Sequence, residues 1–407
     1  MKIVFFTETY LPQVNGVATS TSLFRKYLEK RGHDVFIIAP IAPKGDHKVL
    51  KVPGVRFPME KQHIISIPVK KRIRDFIHGF DPDVIHSHTP FILGFFALKI
   101  QQDFGIPHVH TYHTLLVEYR HYIPPPIRPS RSVVEEFSAW FCNQVDHVIA
   151  PTEEIRKELV KYGVEKEITV IPTGIDIDSF RGENRFDVRK KHGIGKDERI
   201  ILFAGRLAKE KNVFFTLRIF KRLVEEGRKV SFIIAGDGPL RMDIEEALDE
   251  WEIKNKVVLT GYLRRDDLIE YYKQSDLFIF ASLTETQGLV VLESLAAGTP
   301  VVAIAEKGIK DVLEDGRGAL LVKGEDEHDF LVKVKSILDD DSKRERLSKL
   351  GIEYVEEKWS MDSAVEKLLK IYGNLSRKEK KIYHIPRIFE TVMRKLEKIE
   401  NRIFVGS

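Results

Sequence analysis

This chain of 407 residues has a single cysteine, no long apolar run and a small net charge. Its single cysteine, Cys142, excludes a disulfide framework and a cysteine-rich zinc module. The longest apolar run, residues 91–98, is far shorter than the ~20 residues that a transmembrane helix needs. The net charge of +4 is the small difference between 65 basic and 61 acidic side chains, which excludes a strongly basic nucleic-acid-binding protein. We therefore expect a folded, soluble protein with no nucleic-acid partner.

Two nucleotide-binding fingerprints and a targeting signal are also absent. No Gly-x-Gly-x-x-Gly follows the first strand-like run, residues 3–6, and no Walker A sequence occurs. Nicotinamide-dependent enzymes and nucleoside triphosphatases therefore have no support. The apolar start of the chain reaches the polar Thr7 too soon for a secretory signal peptide, so we expect a cytoplasmic location.

Present instead is a regular alternation of strand-like runs with amphipathic segments. The strand-like runs are residues 3–6, 35–39, 84–86, 108–111, 146–150, 168–171, 200–204, 230–235, 257–260, 277–280, 301–303 and 319–322. Such alternation, with apolar runs that contain few polar residues, predicts parallel sheets covered by helices on both faces. We predict an α/β fold made of two doubly wound parallel-sheet domains that face each other across a cleft.

The domain boundary is predicted where Pro172 and Gly174 interrupt the strand pattern. We assign residues 1–172 to an N-terminal domain and 173–359 to a C-terminal domain. Residues 360–407 then form C-terminal helices that cross back to the first domain. From Ser376 onward the chain has nine basic and four acidic side chains, which gives this tail a charge of +5 and the rest of the chain −1.

Ligands of parallel sheets bind at the carboxyl ends of the strands, so the loops after the strands are the candidate sites. The loop after residues 200–204 contains Gly205, which lets a ligand approach the backbone. It also contains Arg206 and Lys211, whose charges suit a diphosphate. An exposed basic turn is the alternative interpretation.

Two carboxylates follow the strand-like run at residues 277–280. If the interval were wholly helical, Glu285 and Glu293 would lie about 12 Å apart, which is too far for the carboxylate pair of a glycosidase. We interpret them instead as ligands for the two ends of a long molecule, one at a sugar and one at a ribose.

Histidine pairs follow two strand-like runs, His86 with His88 and His110 with His113. A three-histidine zinc site is one interpretation, but no clear acidic partner accompanies the pairs, and we expect no metal. The Asp-Pro-Asp at residues 81–83 precedes a strand, at the edge away from the ligand, and is interpreted as a turn.

In their order along the chain, these segments resemble the GT-B retaining glycosyltransferases of family 4. The segments that carry the resemblance are residues 10–17, 110–114, 205–212, 236–239 and 285–293. It covers nearly the whole chain and implies two Rossmann-like domains facing a cleft. The second domain would bind a nucleotide sugar and the first mainly an acceptor. Transfer would retain the anomeric configuration and need no metal or other cofactor.

The resemblance also implies roles for individual residues. Arg206 and Lys211 would hold the donor diphosphate and stabilise the charge of the leaving nucleotide. Glu285 would bind the sugar hydroxyls and Glu293 the ribose, while His113 would lie beside the reacting centre and orient donor or acceptor. The other implied contacts are backbone groups, at Gly16, Gly205, Gln287, Gly288 and Leu289.

Residues 110–122 and 285–289 are most similar to bacterial diacylglycerol glucosyltransferases. This implies transfer of glucose from UDP-glucose to diacylglycerol, which forms a membrane glycolipid. A GDP-mannose-dependent mannosyltransferase acting on a lipid or soluble acceptor is the alternative within the family. A non-enzymatic, two-lobed sugar-binding protein is the alternative from another class, and it leaves Arg206, Lys211, Glu285 and Glu293 together unexplained.

The pattern of charge supports a lipid acceptor. Residues 64–77 mix apolar side chains with Lys70, Lys71, Arg72 and Arg74, a combination suited to contact with an anionic membrane. The basic tail either makes a second contact or packs on the first domain. We therefore expect peripheral association with the inner face of the cell membrane.

Overall fold

The computed structural model describes residues 1–13, 15–57, 60–67, 69–123, 125 and 128–376. The chain forms two compact units. The first contains Met1–Pro151 and Arg156–Ile171, together with the described residues that follow Ala364. The second contains Thr152–Ile155 and Pro172–Ala364. The basic tail after Ser376 lies outside the described residues, so its two predicted roles stay predictions.

A parallel sheet organises the first unit. Its strands, with one additional antiparallel pair, are β1 (Lys2–Phe6), β2 (Asp34–Ala39), β3 (Val49–Lys51), β4 (Gly54–Phe57), β5 (Glu60–Ser66), β6 (Val84–Ser87), β7 (His108–Thr111), β8 (His147–Ala150) and β9 (Ile168–Val170). Seven of these strands pair in parallel in the order β3-β2-β1-β6-β7-β8-β9, and β4 pairs with β5.

A second parallel sheet organises the second unit. Its strands are β10 (Arg199–Ala204), β11 (Val230–Ala235), β12 (Val257–Gly261), β13 (Leu277–Phe280), β14 (Val301–Ile304) and β15 (Ala319–Val322). They pair in the order β12-β11-β10-β13-β14-β15. The two units therefore confirm the predicted class, two Rossmann-like parallel-sheet domains in one chain.

Helices connect the strands in both units. They are α1 (Gly16–Lys30), α2 (Lys70–Phe80), α3 (Ile92–Phe104), α4 (Arg131–Gln144), α5 (Glu153–Lys161), α6 (Val188–His192), α7 (Val213–Glu225), α8 (Arg241–Glu250), α9 (Arg265–Lys273), α10 (Leu289–Ala296), α11 (Gly308–Val312), α12 (Glu327–Leu338), α13 (Asp341–Lys358) and α14 (Met361–Asn374). Helix α14 ends within the first unit, because the division falls after Ala364.

Burial of the strands explains why their sequences are apolar runs and do not alternate. Every residue of β6, β7, β8 and β11 is buried, so both faces of each sheet are covered. Cys142 of α4 is fully buried as well, in keeping with a structural role. Side chains that do chemistry can therefore reach a ligand only near the strand ends.

Each predicted strand is present, with its ends within one residue of the prediction. Strands β3, β4 and β5 were not predicted, because they are short and interrupted by polar residues; β3, at the edge of its sheet, has no buried residue. The Asp-Pro-Asp at residues 81–83 forms the expected turn: Asp81 ends α2 with a left-handed φ of 51°. The Asp83 carboxylate accepts a hydrogen bond from the Lys2 N–H at 2.8 Å.

The strand order reverses once in each sheet. Strand β1 lies between β2 and β6, and β10 lies between β11 and β13. At such a reversal, the loops after the two adjacent strands leave on opposite faces of the sheet and open a crevice for ligands. The topology therefore points to the loops after β1 and β6 in the first unit, and after β10 and β13 in the second.

Candidate active site

The loop after β10 is a tightly packed turn that carries three predicted donor-binding residues. Gly205 packs so closely on the neighbouring strand that a Cβ on Gly236 would lie 1.8 Å from the Gly205 carbonyl oxygen. Arg206 is half-buried, and burial lowers the pKa of its guanidinium against the attraction of Glu210. A turn of 3₁₀ helix, Lys209–Lys211, then leads into α7. The loop thus places two cationic side chains next to the tightly packed backbone of Gly205.

Lys211 and Glu285 come from adjacent strand ends and form an ion pair. Their side chains are only 18% and 13% exposed. Solvent and salt screen such a pair less than a surface pair. Two residues to which the sequence assigns different roles, 74 positions apart, are thereby brought into contact. The pair offers an ammonium for phosphate and a carboxylate for hydroxyl groups at one place.

The loop that carries Glu285 is anchored at two points. The Gln287 side chain accepts a hydrogen bond from the Thr173 N–H at 2.9 Å and donates one to the Thr173 carbonyl at 2.7 Å. The Thr152 hydroxyl donates to the Thr286 carbonyl at 2.9 Å. Thr152 and Thr173 lie within two residues of the points where the chain enters the second unit. The sequence predicts only a backbone role for Gln287, and this use of its side chain was not predicted.

Gly288 is required by the geometry at the start of α10. Its φ of 77° is left-handed, and a Cβ there would lie 2.4 Å from Cδ1 of Ile309. Because α10 begins only at Leu289, the interval from Glu285 to Glu293 is helical in its second half alone. The separation calculated for a fully helical interval therefore does not apply. The first N–H groups of a helix have no acceptor within the helix, and they suit oxygen ligands.

Glu293 is buried, with 6% of its surface exposed, and two side chains of α9 hold it. Arg265 forms an ion pair with one carboxylate oxygen, and the Tyr272 hydroxyl donates to the other at 3.3 Å. Burial and the neighbouring Glu293 charge raise the pKa of Tyr272, which keeps this hydroxyl protonated. Arg265 and Tyr272 were not predicted from the sequence. They lie 28 and 21 residues before Glu293, and no local pattern connects residues at that separation.

The loop after β1 ends in a helix cap at Asn15. Its side-chain oxygen accepts a hydrogen bond from the Ala18 N–H at 2.9 Å, and its amide donates to the Thr9 hydroxyl at 2.7 Å. Gly16 is exposed, and a Cβ there would meet no atom of the described structure within 4 Å. In contrast to Gly288, packing among the described residues does not require a glycine at this position.

His113 follows β7 and is hydrogen-bonded to a second imidazole, His88, which follows β6. Nε2 of His113 lies 3.0 Å from Nδ1 of His88, and the ring planes are inclined by 20°. Burial lowers the pKa of His113 to about 3 and the pKa of His88 well below its usual value. Both rings are neutral near pH 7, so the bond joins one N–H to one unprotonated nitrogen.

Three further histidines on β6 and β7 are buried. His86 bonds through Nδ1 to the Tyr372 hydroxyl on α14 at 2.5 Å, while His108 and His110 share the Ser87 hydroxyl at 2.7 and 2.8 Å. The histidine pairs are thus joined to hydroxyl groups and to each other. Within the described part of the chain, no three His, Cys, Asp or Glu side chains converge as a possible metal site.

The four basic residues predicted to contact a membrane, Lys70, Lys71, Arg72 and Arg74, lie on α2. Its apolar residues Ile73 and Ile77 are buried in the core of the first unit. Lys71, Arg72 and Arg74 are exposed, although Arg74 forms an ion pair with a carboxylate of α3. This helix therefore offers charge rather than apolar side chains to its surroundings. No helix among the described residues is both long and apolar enough to span a bilayer.

Two protein-family models match the chain, one in each half. The model for "Glycosyltransferase Family 4" matches residues 14–179, and the model for "Glycosyl transferases group 1" matches residues 184–354. Both candidate donor loops lie within the second match.

Relatives with established names extend over most of the chain. An alpha-monoglucosyldiacylglycerol synthase from Streptococcus pneumoniae is 37% identical over 81% of this chain and 76% of its own length. A GDP-mannose-dependent alpha-mannosyltransferase from Mycobacterium tuberculosis is 30% identical over 81% of this chain and 85% of its own. The chain belongs to the group 1 and family 4 glycosyltransferases. It is therefore an enzyme, and a non-enzymatic sugar-binding protein is no longer an alternative.

Solved structures share the fold at lower identity. A sucrose-phosphate synthase from Thermosynechococcus elongatus superposes with a TM-score of 0.76 at 20% identity, covering 91% of this chain and 98% of that one. HepE from Anabaena, in complex with UDP-glucose, superposes with a TM-score of 0.74 at 16% identity, covering 92% and 100%. These similarities confirm the two-domain GT-B fold.

Proposed function

We propose that this glycosyltransferase transfers glucose from UDP-glucose to diacylglycerol at the inner face of the cell membrane. The observation that carries the proposal is the Lys211–Glu285 pair at the reversal of the second sheet, with Arg206 on the same loop as Lys211. The relatives from Streptococcus pneumoniae and Acholeplasma laidlawii, both named alpha-monoglucosyldiacylglycerol synthase, support the choice of sugar and acceptor.

Donor binding would exchange the partners of this ion pair. Phosphate oxygens would bind the ammonium of Lys211 and the guanidinium of Arg206, since both are cations on the loop after β10. The Glu285 carboxylate, released from Lys211, would accept hydrogen bonds from the sugar hydroxyls. Gln287 would act through its backbone, because its side chain is bonded to Thr173. The N–H groups of Gly288 and Leu289 would complete the sugar contacts.

Glu293 would bind the ribose with the acceptor sites that Arg265 and Tyr272 leave available. A carboxylate has about four lone-pair directions, so two partners do not saturate it. Gly205 and Gly16 would let the backbone approach the donor or acceptor. This accounts for a glycine at position 16, where packing among the described residues does not require one.

The reaction would proceed on one face of the sugar, with retention. The bond from the anomeric carbon to the phosphate oxygen breaks, and a bond to the acceptor hydroxyl oxygen forms on the same face. The acceptor proton passes to the leaving phosphate oxygen, so no side chain needs to act as general base. Lys211 and Arg206 stabilise the charge that grows on the nucleotide, and we propose that no metal is needed. His113 would orient donor or acceptor as a neutral imidazole.

Membrane association would be electrostatic. Lys71 and Arg72 are exposed on α2, and each basic residue near an anionic surface contributes about 1 kcal/mol of attraction. Binding to anionic vesicles should therefore weaken as salt rises, because the Debye length shortens. Binding that salt leaves unchanged would contradict this part of the proposal.

The direct test is an assay of the full chain with diacylglycerol in anionic vesicles. UDP-glucose, UDP-galactose and GDP-mannose are supplied separately, with and without a chelator of divalent cations. We expect an α-linked glucosyl lipid from UDP-glucose, formed at the same rate with the chelator. Turnover with GDP-mannose alone would instead establish the second candidate, which the 30% identical mannosyltransferase supports. No product with either UDP-hexose would refute the proposed donor.

A further inference from the structure

His88 is a tightly confined imidazole of the first unit. It is 1% exposed. One face stacks on His86, with ring centroids 4.4 Å apart and planes inclined by 20°, and Phe5 meets the ring edge-on at 4.7 Å. Packing on these sides fixes the orientation of the ring. In that orientation Nδ1 of His88 faces Nε2 of His113 at 3.0 Å.

The other nitrogen of His88 decides which ring donates. Nε2 of His88 is buried and has no hydrogen-bond partner among the described residues. If this nitrogen carried the proton, the protein would bury an N–H without an acceptor, at a cost of about 1–3 kcal/mol. Buried N–H groups without acceptors are rarer than buried acceptors without donors. The proton of His88 therefore belongs on Nδ1, and Nδ1–H donates to Nε2 of His113.

This direction of donation fixes the tautomer of the second ring. A neutral imidazole carries one proton, so a His113 that accepts at Nε2 carries its proton on Nδ1. We propose that His88 is a positioning residue that holds His113 as the Nδ1–H tautomer, with its Nε2 occupied as the acceptor of the His88 Nδ1–H. This inference rests on the proposed function insofar as that function places His113 beside the reacting centre.

The tautomer decides whether Nδ1 of His113 is a hydrogen-bond donor or an acceptor. As the Nδ1–H tautomer, His113 is a hydrogen-bond donor at Nδ1. As the Nε2–H tautomer, it would present an unprotonated Nδ1, which can only accept. Since burial lowers the pKa of His113 to about 3, the neutral ring and its tautomer persist across the physiological pH range.

The tautomer can be measured directly in the substrate-free, full-length protein. Nitrogen-15 NMR of histidine-labelled protein distinguishes a protonated from an unprotonated Nδ1 by chemical shift and by long-range coupling to the ring protons. The His113 signals are assigned by their loss in His113→Asn. We expect a protonated Nδ1 and an unprotonated Nε2. A protonated Nε2 in the wild-type protein, or an equal mixture, would overturn the inference.

Two variants of His88 separate positioning from packing. The amide nitrogen of Asn occupies nearly the place of a histidine Nδ1, so His88→Asn keeps the donor to His113. His88→Leu keeps apolar volume and removes the donor. We expect kcat to fall about 10- to 100-fold in His88→Leu, as for other residues that orient a functional histidine. The KM for the donor should stay within about threefold, and His88→Asn should recover most of kcat.

A purely structural role for His88 predicts the opposite order. Leucine packs better than asparagine against His86 and Phe5, so His88→Leu would then be the more stable and the more active variant. Thermal unfolding of both variants shows whether they are folded at the assay temperature. Wild-type kcat in folded His88→Leu would overturn the proposal.

These results distinguish the inference from the proposed function. The NMR measurement needs no substrate, so it decides the tautomer whichever nucleotide sugar is used. If GDP-mannose proves to be the donor, the comparison of variants is made with that donor. A wild-type protein that is inactive with all three nucleotide sugars would refute the proposed function, while the tautomer of His113 would still support or overturn the inference.

Discussion

The two units hold their candidate functional groups in opposite electrostatic states. In the first, five imidazoles are neutral and bonded to each other or to hydroxyl groups: the buried His86, His88, His108 and His110, and the half-buried His113. In the second, the groups are charged and paired, Lys211 with Glu285 and Arg265 with Glu293. A neutral cluster is sensitive to where its protons lie, whereas a charged pair is sensitive to the loss of a partner. The two units should therefore lose stability or activity under different conditions.

Mild acid should destabilise the first unit more than the second. Burial lowers the pKa of each of these five imidazoles. Below pH ~6.5 the unfolded chain binds protons at these residues and the folded chain does not. The free energy of unfolding therefore falls as pH falls through this window, because the unfolded chain takes up protons that the folded chain does not. In the second unit, ion pairs and hydrogen bonds lower the pKa of carboxyls such as Asp341 and Glu198, and that stability is lost only below pH ~4.

Tryptophan fluorescence can follow the units separately during urea unfolding. Trp140 lies in the first unit, and Trp251 and Trp359 lie in the second. A protein that retains Trp140 alone reports on the first unit, and Trp140→Phe reports on the second. Between pH 7.5 and pH 5.5 we expect a large decrease in the urea midpoint of the first reporter and a small one for the second. Equal decreases in both would contradict the comparison.

Removing one charge of the central pair should cause the largest loss of activity. In Lys211→Met the donor phosphates lose a cation and Glu285 is left without its partner. We expect kcat/KM to fall about 10³-fold, the scale for losing a group that stabilises transition-state charge. Lys209→Met is the matched control, because Lys209 is exposed in the same turn. Similar activity in both variants would show that Lys211 is not part of the donor site.

The opposite member of the pair should affect binding and catalysis in different ways. Glu285→Gln removes the carboxylate that competes with phosphate for Lys211, while the amide can still contact sugar hydroxyls. We expect UDP to bind as tightly as in the wild type or more tightly, whereas kcat falls about 10²-fold because an acceptor for sugar hydroxyls is weakened. Calorimetry with UDP and steady-state kinetics measure the two effects. Loss of UDP affinity equal to that of Lys211→Met would contradict the exchange of partners.

Sequence patterns predicted the sheets and the candidate residues well, but not the partners of those residues. Strands such as β11 are recognised because burial on both faces makes each an unbroken apolar run. Glu293 is recognisable from its place after a strand, but Arg265 is not, because the contact arises from the packing of α9 against α10. His88 was identified only as one of a possible metal-binding group, and its bond to His113 depends on the pairing of β6 with β7.

Substituting an uncharged side chain that anchors the Glu285 loop should give the smallest loss of activity. Gln287 is 4% exposed and bonds to both backbone groups of Thr173. Gln287→Glu keeps the acceptor for the N–H but sets a carboxylate oxygen against the carbonyl, so we expect kcat/KM to fall about tenfold through displacement of the loop.

Thr152→Val removes the hydroxyl that is bound to the Thr286 carbonyl, and kcat/KM should fall less, about fivefold. Thr152→Ser keeps the hydroxyl and should be close to the wild type. Kinetics at two salt concentrations separate the groups, because the loss in Thr152→Val, which changes no charge, should not depend on ionic strength as the losses at Lys211 and Glu285 do. If the loss in Thr152→Val depends on salt as strongly as the loss in Lys211→Met, the distinction between anchors and charged ligands within this unit is wrong.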